Sequence, residues 1–235
     1  MSIAANLERV RNEVADACAR AGRSPADVAL MAVSKMHPVE ALLEAYAAGQ
    51  RLFGENRVQE FAAKAEEFAA AGAWAAGEGP RVHLIGPLQN NKTGKAAELF
   101  DAVDTLDSVK TAGRLNEAAA ALGKIIPVLV EVKLSHEESK HGLPAELLPE
   151  FLEAVAGLPN IRVSGLMTVP PWSEDAETAR PYFRRLRELR DENLERCPGL
   201  TELSMGMSND FRVAIEEGST TVRVGTAIFG RRVVA

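Results

Sequence analysis

Short apolar runs alternate with amphipathic helical patterns along nearly the whole chain. Apolar residues at helical spacing, such as Leu7, Val10 and Val14, predict a first helix over residues 5–21. Eight mainly apolar runs predict strands over residues 29–34, 51–54, 82–86, 102–106, 125–132, 161–167, 202–205 and 221–224. The intervening segments predict helices over 38–48, 58–70, 93–100, 108–122, 144–156, 174–196 and 210–217, and loops over 71–80 and 135–142.

The alternation of strands and helices predicts a parallel sheet, because each parallel connection needs a crossover helix. The strands are apolar throughout, as is typical of strands buried on both faces. Eight such units predict a single-domain α/β fold over residues 1–235, a (β/α)8 TIM barrel with an extra N-terminal helix. An open doubly wound sheet is the alternative, but the first strand is followed by residues 34–38, which contain no glycine fingerprint.

Composition and charge narrow the class of protein. The 235 residues are 46% hydrophobic and 26% charged, which is a globular composition and excludes a wholly disordered chain. A net charge of -6 argues against nucleic acid as a partner. The N-terminus is charged and no apolar run is long enough for a membrane span, so we expect a cytoplasmic protein. Cys18 and Cys197 lack metal-ligand spacing, so we expect reduced thiols and no metal site.

The active site of a TIM barrel lies at the carboxyl ends of its strands, which directs attention to Lys35. This lysine ends the first predicted strand. Desolvation at a barrel mouth favours the neutral amine, which is the nucleophile that forms a Schiff base. A surface lysine at a strand end is the alternative, and position alone favours that alternative.

The segments after the seventh and eighth strands are rich in small residues. Residues 204–209 read SMGMSN and residues 225–230 read GTAIFG, with hydroxyls at Ser204, Ser208 and Thr226. Loops at these positions commonly bind phosphate in TIM barrels, although small residues also simply fill tight turns. Two such loops together with Lys35 predict a phosphorylated aldehyde, of which pyridoxal 5'-phosphate (PLP) is the usual one.

Arg223 lies in the eighth strand, two residues before Gly225, so both residues are on the same face. An inward arginine could donate a hydrogen bond to the pyridine nitrogen of PLP. A structural arginine paired with an acidic residue at the barrel end is an equally weighted alternative.

Six longer motifs resemble those of the YggS/PROSC family of PLP homeostasis proteins, over essentially the whole chain. They are AVSK at 32–35, FGENRVQE at 53–60, HLIGPLQNNK at 83–92, GLMT at 165–168, LSMGMSNDF at 203–211 and VRVGTAIFG at 222–230. The resemblance implies a barrel similar to the N-terminal domain of alanine racemase. It also implies PLP covalently bound to Lys35 as a Schiff base.

The resemblance assigns further contacts to the cofactor. It implies phosphate contacts from Ser208 and from the backbone of Gly225 and Thr226, and a pyridine contact from Arg223. Asn56 is expected near the cofactor and Met167 beside its ring. Ser204 is also expected to contact the cofactor, because it lies in the same small-residue segment as Ser208. The family commonly has histidine at position 87, where this chain has Pro87. Proline cannot donate a backbone hydrogen bond, so a function that depends on that histidine is in doubt.

The resemblance implies a carrier that buffers PLP or delivers it to apo PLP-dependent enzymes, without substantial turnover. We expect the carrier to be a monomer. A PLP-dependent amino-acid racemase is the alternative, and it needs a base on each face of the α-carbon. In alanine racemases a tyrosine from a second domain supplies one base, and we expect that domain to be absent here. Tyr46 and Tyr182 lie in predicted helices and are poorly placed. A protein that has lost the cofactor is disfavoured by the presence of Lys35, Ser208 and Arg223.

Overall fold

The computed structural model describes residues 2–70, 79–135, 137 and 141–230. Residues 71–78 of the predicted loop over 71–80 and part of the predicted loop over 135–142 lie outside these residues.

Eight parallel strands form a closed barrel, which confirms the predicted fold class. The strand bounds are Ala29–Val33 (β1), Leu52–Glu55 (β2), Arg81–Leu84 (β3), Ala102–Leu106 (β4), Ile126–Lys133 (β5), Ile161–Met167 (β7), Glu202–Ser204 (β8) and Thr221–Val224 (β9). The ring runs β4, β3, β2, β1, β9, β8, β7, β5 and closes by pairing of β5 with β4. All the ladders are parallel, and the β4–β5 and β5–β7 ladders each contain a register shift. A two-residue strand, Leu143–Pro144 (β6), pairs with the end of β5 outside the ring.

Helices cover the barrel, and their apolar faces pack on the sheet in one extended core. Their bounds are Ile3–Arg20 (α1), Val39–Ala47 (α2), Val58–Ala70 (α3), Thr93–Leu99 (α4), Val109–Ala121 (α5), Leu148–Val155 (α6), Arg180–Glu192 (α7), Phe211–Glu216 (α8) and Thr226–Phe229 (α9). Among the described residues, none of the helices combines the length and the apolar character needed to cross a bilayer.

The helix predicted over residues 174–196 is shorter than expected. A 3-10 turn, Ala176–Ala179, comes first, and the side chain of Asp175 accepts a hydrogen bond from the Glu177 amide. Pro181 then occupies the first turn of α7, where proline is favoured because its missing amide hydrogen is not needed. The run of charged residues continues past this helix, so the charge pattern alone did not show where it ends.

The N-terminal helix α1 packs against α2 and α8, and it also holds the last helix, α9. Its buried face includes Leu7, Val10 and Val14, the residues whose spacing predicted the helix. The side-chain amide of Asn6 donates to the Ile228 carbonyl at 2.8 Å, and Arg9 donates to the neighbouring carbonyl of residue 227 at 2.8 Å. The extra helix therefore fixes the segment that follows the last strand.

Candidate functional site

Lys35 lies in the turn directly after β1, at the carboxyl end of the barrel. Its side chain is half-buried, and Nζ donates to Oδ1 of Asn56 at 3.3 Å. Asn56 follows β2, the strand beside β1. The next residue, Met36, has a φ of 63°, an uncommon left-handed conformation for a residue other than glycine. The turn that carries Lys35 therefore has a defined, partly strained shape.

A buried ionic network of Lys64, Glu55 and Glu60 is bonded to the turn that carries Lys35. Nζ of Lys64 contacts Oε1 of Glu55 at 3.1 Å and Oε1 of Glu60 at 2.8 Å, and it also donates to the Ser34 carbonyl at 3.2 Å. The Ser34 hydroxyl donates to Oε1 of Glu55 at 2.8 Å, and the Met36 amide donates to Glu60. Both residues that flank Lys35 are thus bonded to the network.

The two carboxylates of the network differ in their electrostatics. Burial raises the pKa of Glu55, and Lys64 and the Ser34 hydroxyl only partly offset that effect. Oε2 of Glu55 is buried and has no hydrogen-bond partner among the described residues. Burial also raises the pKa of Glu60, but the hydrogen bonds from Lys64 and the Met36 amide outweigh it and lower the pKa overall. The stability of the turn therefore depends on Lys64 remaining beside Glu55.

Arg223 is buried inside the barrel near the carboxyl end of β9. Its Nη1 donates to Oγ of Ser204 at 2.8 Å, and its Nη2 donates to the Thr168 carbonyl at 2.9 Å. Burial lowers the pKa of Arg223, while carboxylates including Asp104 oppose the effect, so the guanidinium stays charged. These bonds use two of its five N–H groups, and they go to a hydroxyl and a carbonyl rather than to an acid. Further N–H groups are available for a ligand.

Met167 and Ser204 lie side by side in the same region. They end β7 and β8, are paired in register, and are both buried. Ser204 is also the residue that accepts the Arg223 bond. The structure therefore brings three of the predicted site residues together within the barrel mouth.

The two predicted phosphate loops contact each other. Oγ of Ser208 accepts a hydrogen bond from the amide of residue 227 at 3.4 Å, and the Arg223 amide donates to the Gly206 carbonyl at 2.9 Å. Gly206 has a φ of 95°, and a Cβ there would lie 2.5 Å from the Cβ of Ala214, so glycine is required. Gly225 and the exposed Thr226 begin α9 beside Ser208. The Ser208 hydroxyl and the backbone at Gly225 and Thr226 thus lie close together at the carboxyl end of the barrel.

These residues fit PLP by the chemistry of their donors. A half-buried amine suits the aldehyde, hydroxyl and backbone groups suit the phosphate, and a buried guanidinium suits the pyridine nitrogen. In the ring, β1 lies between β2 and β9, so Lys35 lies between Asn56 on one side and the loop that starts at Gly225 on the other. Sequence reasoning did not assign a role to Glu55, Lys64 or Glu60. The sequence signals for them are the position of Glu55 at the carboxyl end of the second predicted strand and the spacing of four between Glu60 and Lys64 in the helix that follows.

Other ionisable residues lie outside this group. His83 on β3 is half-buried, and its Nδ1 lies 3.1 Å from Oδ1 of Asp104, which is typical of a core histidine whose hydrogen bonding is satisfied. Burial lowers the pKa of His83, but Asp104 outweighs it and the pKa is raised overall. Burial raises the pKa of the thiols of Cys18 and Cys197, which are free. Across the described part of the chain, no group of acids, histidines and cysteines could hold a metal ion.

Comparison with known proteins finds one matching family model and several similar proteins. Residues 5–233 match the family model described as alanine racemase, N-terminal domain. The chain is 43% identical to a pyridoxal phosphate homeostasis protein of Vibrio alginolyticus, over 98% of each chain. It is 44% identical to the pyridoxal phosphate homeostasis protein of Escherichia coli, over 98% of this chain and 97% of that one.

Solved structures agree with the sequence matches. PipY of Synechococcus elongatus, solved with PLP bound, is similar with a TM-score of 0.85 and 38% identity, over 97% of this chain and all of that one. The same protein without PLP gives a TM-score of 0.86. An alanine racemase of Clostridium difficile, 15% identical with a TM-score of 0.70, shares the fold over 98% of this chain and 56% of that one.

Proposed function

The chain belongs to the alanine racemase N-terminal domain family and, within it, to the pyridoxal phosphate homeostasis proteins, and from this premise we propose that it holds PLP as a Schiff base on Lys35. In this role it buffers PLP in the cytoplasm and delivers it, as a monomer, to apo PLP-dependent enzymes. The observation that carries the proposal is the position of Lys35. Its half-buried amine follows β1, next in the ring to β9 and the donor-rich loop after it.

Each site residue has a defined part in this proposal. Ser208 and the backbone at Gly225 and Thr226 bind the phosphate, because hydroxyl and amide donors there can surround an anion. Arg223 donates to the pyridine nitrogen, and its permanent positive charge opposes protonation of that nitrogen. Asn56 orients the Lys35 amine through the 3.3 Å hydrogen bond.

Met167 and Ser204 complete the set. The buried Met167 side chain packs beside the cofactor ring, and Ser204 fixes the guanidinium of Arg223 at 2.8 Å. When PLP is bound, its ring supplies an electron sink, and an unprotonated pyridine nitrogen weakens that sink. This electronic effect favours a carrier over a catalyst.

The racemase alternative lacks a suitably placed second base among the residues considered for it. Tyr46 lies on α2, where its ring contacts Phe68 at a centroid distance of 6.2 Å and the guanidinium of Arg51 at 4.1 Å. Tyr182 lies on α7, on the outside of the barrel. Racemisation needs a base on each face of the α-carbon, so these placements support binding without turnover.

Absorption spectroscopy with borohydride reduction tests the proposal. PLP should give the purified protein a visible band that reduction fixes covalently, and peptide mapping should find the label on Lys35. Lys35→Ala should abolish the band and leave the circular dichroism spectrum unchanged. Lys133→Ala is the matched control, because Lys133 ends β5, another strand of the same barrel, and this variant should keep the band. A label on Lys92 or Lys133 in the wild-type protein would refute the assignment.

A further inference from the structure

A groove of about 500 Å³ opens at the carboxyl end of the barrel, on the side of Lys35 away from the proposed phosphate loops. In the ring the order is β3, β2, β1, β9, β8, so the loops after β2 and β3 lie on one side of Lys35. The loops after β8 and β9 lie on the other. The groove is lined by Asn56, Arg57, Val58, Gln59, Pro87, Gln89 and Lys92.

In the described part of the chain, the lining is cationic and contains no carboxylate. Its charged members are Arg57 and Lys92, and the others are amides and apolar residues. Among the described residues, neither cationic side chain has a hydrogen bond or an ion pair, whereas arginines such as Arg180 bind several acids. Arg57 helps to lower the pKa of Glu60, but that carboxylate is already bonded to Lys64 and to a backbone amide. Two unpaired cations beside amide groups are suited to a carboxylate ligand.

The walls of the groove are fixed before any ligand arrives. A Cβ at Gly86 would lie 2.2 Å from the carbonyl oxygen of Asn56, so the two loops touch through their backbones. The Thr105 hydroxyl donates to the Gly86 carbonyl at 2.8 Å, and Asn90 is held by hydroxyl donors on α4 and α5. A preorganised groove loses little conformational entropy when it binds a small molecule.

Asn56 belongs both to the groove and to the Lys35 contact. Its Oδ1 accepts a hydrogen bond from Nζ of Lys35 at 3.3 Å, and an amide oxygen can accept a second one. A ligand ammonium at Asn56 would therefore lie beside the proposed cofactor site.

We propose that this groove binds a free amino acid, with its carboxylate between Arg57 and Lys92 and its ammonium at Oδ1 of Asn56. The inference rests on the proposed function, because an amine at Asn56 can affect the cofactor only if PLP is bound to Lys35. An amino acid placed there would exchange with Lys35 on the cofactor. Its ammonium would give up a proton, its nitrogen would form the C=N bond to the aldehyde carbon as the Lys35–carbon bond breaks, and the departing Lys35 amine would take up the proton. PLP release from Lys35 would then depend on the amino-acid concentration.

Isothermal titration of the full-length protein, loaded with PLP and reduced with borohydride, tests the inference without any turnover. The probe is L-alanine, and reduction prevents exchange of the amine on the cofactor. Acetate, ethylamine and inorganic phosphate serve as comparison ligands. We expect a millimolar dissociation constant for L-alanine and at least tenfold weaker binding of acetate and of ethylamine.

The double variant Arg57→Gln/Lys92→Gln should weaken L-alanine binding at least tenfold while its uptake of PLP, followed by absorbance, stays at the wild-type level. The control Lys95→Gln/Lys110→Gln removes the same charge from α4 and α5 and should bind L-alanine within twofold of wild type. Thermal melts followed by circular dichroism check that both doubles fold.

Three outcomes would overturn the inference alone: unchanged L-alanine affinity in Arg57→Gln/Lys92→Gln, equal affinity for acetate and L-alanine, or tighter binding of phosphate than of L-alanine. Failure of borohydride to fix PLP on Lys35 is detected before any probe is added. That result refutes the proposed function, and the inference falls with it.

Discussion

Replacement of Lys64 by methionine should destabilise the protein strongly, because it strands a buried carboxylate. The side chain of Glu55 is 0% exposed and that of Lys64 only 12%, so water screens the pair weakly. Without Lys64, Oε1 of Glu55 keeps the Ser34 hydroxyl bond and Oε2 still has no partner among the described residues. Removing one partner of a buried pair costs about 3–5 kcal/mol. For a chain of this size that lowers Tm by roughly 6–20 °C.

The loss should depend on pH in a defined direction. Burial already raises the pKa of Glu55, and loss of the nearby cation raises it further. A carboxyl group with a raised folded-state pKa costs stability when it must be charged, so the cost is full above that pKa. This cost decreases as the pH falls through the folded-state pKa, and it is gone below the unfolded-state pKa of a glutamate, about 4.3. The deficit of Lys64→Met relative to wild type should therefore be largest at pH 8 and smaller at pH 5.

Equilibrium urea unfolding followed by circular dichroism at pH 5, 6, 7 and 8 measures this deficit. The double variant Lys64→Met/Glu55→Gln should recover part of the stability at pH 8 and lose most of the extra pH dependence. Lys95→Met, at an exposed pair with Glu98, is the matched control and should change stability by less than about 0.5 kcal/mol. An equal deficit at pH 5 and pH 8, or no recovery in the double variant, would refute a charged and stranded Glu55.

Two further predictions concern the cofactor. Ser208→Ala removes one hydrogen bond to a charged group, worth roughly 1.5–3 kcal/mol, so the PLP affinity measured by fluorescence titration should fall about ten- to a hundredfold; equal wild-type affinity for pyridoxal and PLP would contradict a phosphate site. Racemase and transaminase assays with added PLP should give rates no higher than those of free PLP, and turnover on the order of 1–10³ s⁻¹ would instead favour the racemase alternative.

The barrel could be predicted from sequence because each of its strands is a short apolar run between two helices. The same rule placed Lys35 at the carboxyl end of β1, where the structure has it. Small elements escaped prediction: β6 has two residues and α9 has four, too few to show a period. The roles of the site residues in binding PLP stay predictions.

The network behind Lys35 could not be predicted for a different reason. Its acids and its lysine look like ordinary solvated charges, and only the packing of α3 against the ends of β1 and β2 buries them together. Because Glu55 is buried, the stability of the folded protein depends on its ion pair with Lys64. Sequence patterns report the period of a segment and carry little information about such contacts between segments.

The hydrogen bonds from α1 to α9 can form only late in the synthesis of the chain. Asn6 and Ile228 are 222 residues apart, so the first helix leaves the ribosome long before the residues that it will hold. Until β9 and α9 have been translated, α1 lacks part of its packing surface and the rim at Gly225 does not exist. Contacts of this sequence separation form late, because closing a long loop costs entropy before the contact repays it. The rim proposed to bind the phosphate therefore forms only after β9 and α9 have been made, and a chain that stalls before Gly225 cannot form it.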